Sequence, residues 1–428
     1  MLAAATAGNT KRFISTLEYV RNIEFEDVKQ ETALHKAAGG GHRDIAQLLL
    51  HRGASTKATN SDNNTPLHLA AHSGHDSTVQ LLLDRGASME AKGKGDNTPL
   101  HLAAWNGHTS TAELLLENGA SIEVQCWLNT PLHLAALSGH TSTVELLLEK
   151  GASMEAKATD DNTPLHLAVG NGHTSTVLLL LEKGAPIESE AWGDTPLHLA
   201  AKNGSTSMVK LLLKKGASMG ALNQSRNTPL HLAAQSGHTP MVGLLLEKGA
   251  PIDVQSWPNT PLHLAAQNGH TSAVKLLLEK GALLEPKATD GNTPLHLAAG
   301  NGHTSLVELL LEKGASIEAK GQDNNTLLHL AALHGHTNTV ELLLEKGASI
   351  TAKAMGNTPL HLAAANGHTS LVAFLIQNGA PIGLRSWTGD TPLHYAIQSG
   401  HTDTVQLLKS EVGTRELIHK LYGGLIET

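Results

Sequence analysis

Cysteine is almost missing from this chain: Cys126 is the one thiol in 428 residues. A disulfide framework is excluded, and the composition suits a reducing compartment. Aromatic residues make up only 3%. A core drawn from a hydrophobic fraction of 40% must therefore be built from Leu, Ala, Val and Ile. There is no run of Lys and Arg, and the net charge of −8 argues against a phosphate-binding surface, since nucleic-acid binders carry a basic stripe. No apolar run reaches the ~18 residues that a membrane span needs. The stretch from Met1 to Lys11 has no apolar segment behind a basic start, so no signal peptide is expected.

What the chain has in abundance is period. Thr-Pro-Leu-His begins at Thr65, Thr98, Thr130, Thr163, Thr195, Thr228, Thr260, Thr293, Thr358 and Thr391, with Thr-Ala-Leu-His at Thr32 and Thr-Leu-Leu-His at Thr326. Each tetrad follows the last at one of two steps. The longer is that from Thr65 to Thr98, and the shorter, by a single residue, is that from Thr98 to Thr130. Twelve units result. Length alone would suggest two or three globular domains. Repeat arrays instead grow without dividing into separate cores.

One unit, Thr130 to Ala152, shows how the pattern folds. The Thr130 hydroxyl can cap a helix, and Pro131 suits the first helical position, where its missing N–H costs nothing. Leu132, Ala135 and Ala136 then share one apolar face. Ser138-Gly139-His140 interrupts the helix. Thr141 or Ser142 is expected to cap a second one, Ser142 pairing with Glu145 in a capping box, and Val144, Leu147 and Leu148 repeat the apolar spacing. Gly151 supplies the left-handed stop. Each helix is shorter than the ~12 residues an isolated helix needs, so stability must come from stacking on neighbouring units.

Thr-Pro-Leu-His at a period of about 33 residues marks ankyrin repeats, and the chain resembles that family from end to end. The resemblance implies an all-α solenoid of stacked helix-turn-helix units with projecting β-turn loops, the fingers. It divides the chain into a degenerate capping repeat at residues 1–31, twelve tandem repeats at 32–408 and a capping helix at 409–428. The first segment enters midway through a helix, with Ala4, Ala5 and Gly8 placed one longer step before Ala37, Ala38 and Gly41. It reads equally as a worn cap or as the cut end of a longer array.

The 27 histidines invite a metal site, but their placement follows the repeat. Twelve close the tetrad and eleven follow the inter-helix glycine, leaving His51, His72, His334 and His419 outside the pattern. In the family the tetrad histidine is a structural hydrogen-bonding residue, and no zinc spacing or His-Glu-x-x-His helix accompanies these. The glycines fit no phosphate loop, dinucleotide fingerprint or nucleophile elbow. Glu145, Glu149, Glu308 and Glu312, with Lys150 and Lys313, read as a solvated charged face. Neither catalytic residues, nor a metal, nor a cofactor is expected.

Binding chemistry should lie where the repeat varies: in the fingers and in the two residues before the inter-helix glycine. In the family these line the concave partner-binding side. Trp127, Trp192, Trp257 and Trp387 all stand eight residues after a stop glycine, and Trp105 falls in the helical pair before Gly107. Aromatic anchors are enriched in binding hot spots. The opposing reading is that each Trp folds back onto the neighbouring finger and covers its backbone. The finger entry Gly-Ala-Ser-Ile-Glu (Gly119 to Glu123) departs from the family's Gly-Ala-Asp-x-Asn, so the asparagine that some members offer for hydroxylation is absent there. Ser205 replaces the loop histidine and Leu327 replaces the tetrad proline, both expected as local soft spots. The functional expectation is a non-catalytic scaffold for a protein or peptide partner. It would be monomeric and cytoplasmic, with the nucleus as alternative, and would neither bind nucleic acid nor insert in a membrane. The alternative is a targeting arm of a larger enzyme or effector.

Overall fold

A computed structural model describes residues 1–19, 22–256 and 259–422, with side chains through Gly413. The described residues form helices joined by short turns, with isolated antiparallel bridges at some fingertips in place of a sheet. Two compact units emerge, one of residues 1–200 with 205–218 and the other of 201–204 with 219–428. Each is a stack of helix pairs.

The first helix of a repeat begins as its sequence demands. Pro131–Ser138 is capped by Thr130 and ends at Gly139, whose φ of 77° only glycine adopts freely. The Thr130 N–H donates to Nδ1 of His133 (3.2 Å), and the Thr130 hydroxyl lies 2.8 Å from the same nitrogen. Histidine thus takes the role that Glu or Gln has in an ordinary capping box. Leu132, Ala135 and Ala136 are fully buried.

The second helix, Thr141–Glu149, departs from expectation. His140 occupies the cap position without a side-chain bond. Thr141 turns its hydroxyl to Thr176 of the next repeat (2.9 Å), and Glu145 reaches Lys183 there (3.8 Å). The expected Ser142–Glu145 box does not form, because the helix starts two residues earlier than that box requires and Thr141 and Glu145 serve the neighbour. The buried residues are Thr143, Val144, Leu146 and Leu147, while Leu148 is half-buried.

Two histidine ladders tie repeats together in opposite directions. The tetrad ring reaches forward: Nε2 of His68 meets the Asn97 carbonyl at 3.0 Å and that of His101 meets Asn129 at 3.1 Å. In the second unit His263 reaches Asn292 (3.1 Å) and His329 reaches Asn357 (3.0 Å). An amide N–H can only donate and a carbonyl only accept. Nδ1 is therefore the acceptor, Nε2 carries the proton, and the ring is neutral. The loop histidine reaches backward, as His108 does to the His72 carbonyl (3.0 Å) and His303 to Gln267 (2.9 Å). Its ring crosses the preceding inter-helix glycine so closely that a Cβ on Gly107 would lie 2.4 Å from His140 Nδ1. At Ser205 that ring is missing, and a Cβ on Gly172 would meet nothing within 4 Å. Leu327, by contrast, is buried at the start of an intact helix, Leu327–Leu333, with the usual Thr326–His329 cap.

The glutamate that distinguishes the finger entry has a structural task. Glu90 accepts from the Ser121 N–H (2.8 Å), Glu123 from Ser153 (2.7 Å) and Glu188 from Ser218 (2.7 Å). In the second unit Glu285 and Glu318 accept from Ser316 and Ser349. Where the receiving residue is Pro251 or Pro381, which has no N–H, the preceding finger carries Gly220 or Thr351 instead of an acid; Glu155, ahead of Pro186, is the exception. The charged outer face is also a set of links between repeats: Lys183 lies 3.8 and 3.7 Å from Glu145 and Glu149, and Lys150 lies 3.9 Å from Glu117. Such exposed pairs contribute little individually.

At the beginning, helices Leu2–Thr6 and Thr10–Leu17 bury Ala4, Ala5, Phe13 and Leu17. At the end, Thr402–Tyr422 is one continuous helix. The boundary expected at residues 408/409 falls inside it, because nothing between Lys409 and Gly413 breaks the second helix of the last repeat. Leu417, Ile418 and Leu421 lie outside the described side chains.

Candidate partner-binding surface

The step between tetrads decides the shape of the fingertips. At the shorter step, as from Thr98 to Thr130, the finger closes in a two-residue turn. Cys126 and Asn129 exchange main-chain bonds of 2.9 and 2.7 Å around Trp127 and Leu128. Both central residues have positive φ, 44° and 66°, the pattern of a type I′ turn. Ala191–Asp194 repeats it with Trp192 and Gly193, and Ala354–Asn357 with Met355 and Gly356. At the longer step the tip holds one residue more, as between Ala158 and Asn162. Glycine takes the second central position at Gly193 and Gly356. At Leu128 a branched residue is held there, a strained choice that costs about 1 kcal/mol or more.

The structure separates the five tryptophans. Trp105 ends the first helix Pro99–Trp105 and is 49% exposed. Trp127 is 74% exposed, yet its ring rests on the preceding finger, with Cε2 3.4 Å from where a Cβ on Gly95 would stand. Its carbonyl accepts from the Thr159 hydroxyl of the following finger (2.8 Å). Trp192 stands exposed on its own turn. Trp387, in the other compact unit, is exposed and sits against Gly356 of the finger before it. Trp257 lies outside the described residues. For Trp127 and Trp387 the two opposing readings thus hold together: each ring covers its neighbour's backbone with one part and presents the rest.

Trp105 and Trp127 are brought together. They line one groove of about 510 Å³ whose apolar surface also includes Leu69, Leu102, Leu134 and Leu137. First helices of successive repeats supply the leucines, and the Gly95 and Trp127 fingers supply a wall. Lys94 stands at the rim, 3.2 Å from Asp62, and His72 accepts from the Asn106 amide (3.0 Å). Cys126, nearly buried, also borders the groove; burial pushes its thiol up to about 11, so it stays protonated at neutral pH.

Sequence reasoning missed the leucines. Leu69, Leu102 and Leu134 occupy a position that hardly varies, and a constant residue reads as fold. Leu137 sits in the variable pair before Gly139 and was legible, but the aromatic at the matching position, Trp105, drew the attention. Met355 was also within reach, standing eight residues after Gly347.

The tetrad histidines contribute architecture. Burial holds His68 and His101 down to about 4, against the opposing pull of the carbonyls they donate to. Among the described residues no cluster of three or more His, Cys, Asp or Glu side chains is placed to hold a metal ion. No helix there is long and apolar enough to cross a membrane.

Comparison with known proteins agrees with the geometry. A family model described as ankyrin repeats (3 copies) matches residues 1–93, 52–126, 92–158, 124–191, 197–290, 262–354 and 352–416. A second, ankyrin repeats (many copies), matches residues 171–213. No curated protein matches the chain significantly. Among solved structures, the crystal structure of the human ASB11 ankyrin repeat domain is 31% identical, covering 51% of this chain and 99% of that one with a TM-score of 0.48. With tetrad caps, paired short helices, projecting fingers and family matches running from residue 1 to 416, the chain belongs to the ankyrin-repeat family.

Proposed function

We propose that the chain is a non-catalytic scaffold that binds a partner protein or peptide on the face formed by fingers and first helices. Ankyrin repeats serve generally as protein-interaction scaffolds, and one observation supports the finer reading here. Trp105 and Trp127, from a helix and a finger, converge on one apolar groove while remaining about half and three-quarters exposed. Exposed tryptophans beside an apolar pocket have the character of hot-spot anchors. Trp192, Trp257 and Trp387 are offered as secondary anchors on other fingers. The proposed working form is a monomer in the cytoplasm, acting without nucleic acid and without membrane insertion.

The test is affinity capture of partners by the full chain, followed by a binding titration of the captured partner. Trp105→Ala combined with Trp127→Ala should weaken binding by about 1 kcal/mol or more per residue, with an unchanged circular dichroism melt. Unchanged affinity would remove the groove from the account. Failure to capture any saturable partner would remove the scaffold.

A further inference from the structure

The Trp127 fingertip also lines a second hollow, of about 370 Å³. It shares Lys94, Gly95 and Trp127 with the groove and adds Asp62 and Asp96. The two hollows differ in chemistry. The groove contains no carboxylate, and its apolar lining is four leucines and two tryptophans. The second hollow has two carboxylates against one ammonium, and Lys94 pairs with Asp62. Asp96 makes no ion pair among the described residues. One negative charge is therefore in excess there, on a chain of net charge −8.

The amount of apolar surface limits what can cover it. An aromatic ring offers 150–250 Å² when fully buried. At 49% and 74% exposure, Trp105 and Trp127 together present roughly 200–300 Å². A stable face between two folded proteins needs ~800 Å² from each partner. The groove supplies only a small part of such a face, and its size suits a few consecutive side chains of a linear segment.

Resting on the scaffold reading above, we infer that this site takes a basic linear peptide segment, in which an aliphatic or aromatic side chain fills the groove and a neighbouring Arg or Lys lies against Trp127 and Asp96. A cation gains from the face of a tryptophan and from an unpaired carboxylate together. The acidic chain as a whole steers a basic ligand toward it. The strained Trp127-Leu128 turn has a role in this arrangement: it holds a residue that lines both hollows and so can serve both side chains.

The experiment is selection of random linear peptides of about twelve residues on the full chain, followed by titration of a synthetic peptide carrying the consensus. The expected consensus places Arg or Lys within about three residues of an aliphatic or aromatic anchor. Trp105→Ala should weaken that peptide about tenfold. Asp96→Asn should weaken it about three- to tenfold at low salt and less at high salt. Asp96 has φ 61°, a conformation that asparagine tolerates, so this variant keeps its turn. An acidic consensus, no selected peptide, or binders indifferent to Asp96→Asn would overturn the inference. So would a concentration-dependent dimer of the wild type that Trp105→Ala abolishes. If the inference fails while a partner is still captured through other fingers, the scaffold reading survives; if capture fails as well, both fall.

Discussion

The two compact units are built from the same repeat and carry different chemistry at one position, the first of the two residues before the inter-helix glycine. In the first unit the series reads Gly39, His72, Trp105, Leu137 and Gly170; in the second it reads Lys202, Gln235, Gln267, Gly300, Leu333, Ala365 and Gln398. Hydrogen bonding is the same in both. His101 and His263 are buried and each donates forward to the carbonyl before the next tetrad, at 3.1 Å in both cases. The comparison teaches that the fold is indifferent to this position. It enters the backward ladder only through its main-chain carbonyl, as His72 and Gln267 do, and any residue type supplies a carbonyl, so its side chain is free to be chosen for what it meets. Only the first unit uses it to build an aromatic groove among the described residues.

The largest expected effect concerns what the units share. The tetrad histidines are folded in the neutral form, and His68 and His101 titrate near 4 against ~6.5 in an unfolded chain. The folded state therefore binds fewer protons than the unfolded one between these values. Stability is fully present above about pH 6.5 and declines as pH falls toward 4, by about 2 kcal/mol for each such histidine at pH 5. His263, His296, His329 and His361 are lowered for the same reason, burial. Urea unfolding of the full chain at pH 7, 6 and 5 should show both units losing stability together. A pH-independent midpoint would contradict the neutral-ladder account, and loss in one unit alone would break the claim that the scaffold is common.

A smaller effect should distinguish the fingers. Leu128→Gly relieves a branched residue of positive φ and should stabilise the first unit by about 1 kcal/mol. Gly356→Leu should destabilise the second by at least as much, since a Cβ there would lie 2.5 Å from Trp387. Thermal melts of the two variants should move in opposite directions. Movement in the same direction would show that the two turns are not equivalent.

The sequence disclosed the repeat fully, because Thr, Pro, Leu and His each hold a fixed place in one cap, and a step that never varies by more than a single residue left no competing reading. It disclosed the tetrad histidines as structural but not the direction of their bonds. The forward bond runs to a main-chain carbonyl nearly thirty residues on, and any residue type supplies a carbonyl. The one-residue difference between tetrad steps was visible, yet its meaning, a two-residue turn that puts Trp127 and Trp192 at positive φ, needed the backbone. Glu123 looked like a departure from the family pattern until its bond to the Ser153 N–H gave it a task. The groove was half legible. Its tryptophans stood out as variable residues, while Leu69, Leu102 and Leu134 were hidden by their own regularity.

The central claim is that partner recognition is concentrated in the first unit's groove. Titrating one captured partner against two full-length variants tests it directly: Leu137→Arg, which puts a charge into the groove, and Gln267→Arg, which puts the same charge at the matching, exposed position of the second unit. Loss of at least tenfold in affinity (about 1.4 kcal/mol) for Leu137→Arg, with less than about twofold for Gln267→Arg, is the predicted result. Equal losses, or a larger loss at Gln267, would contradict it.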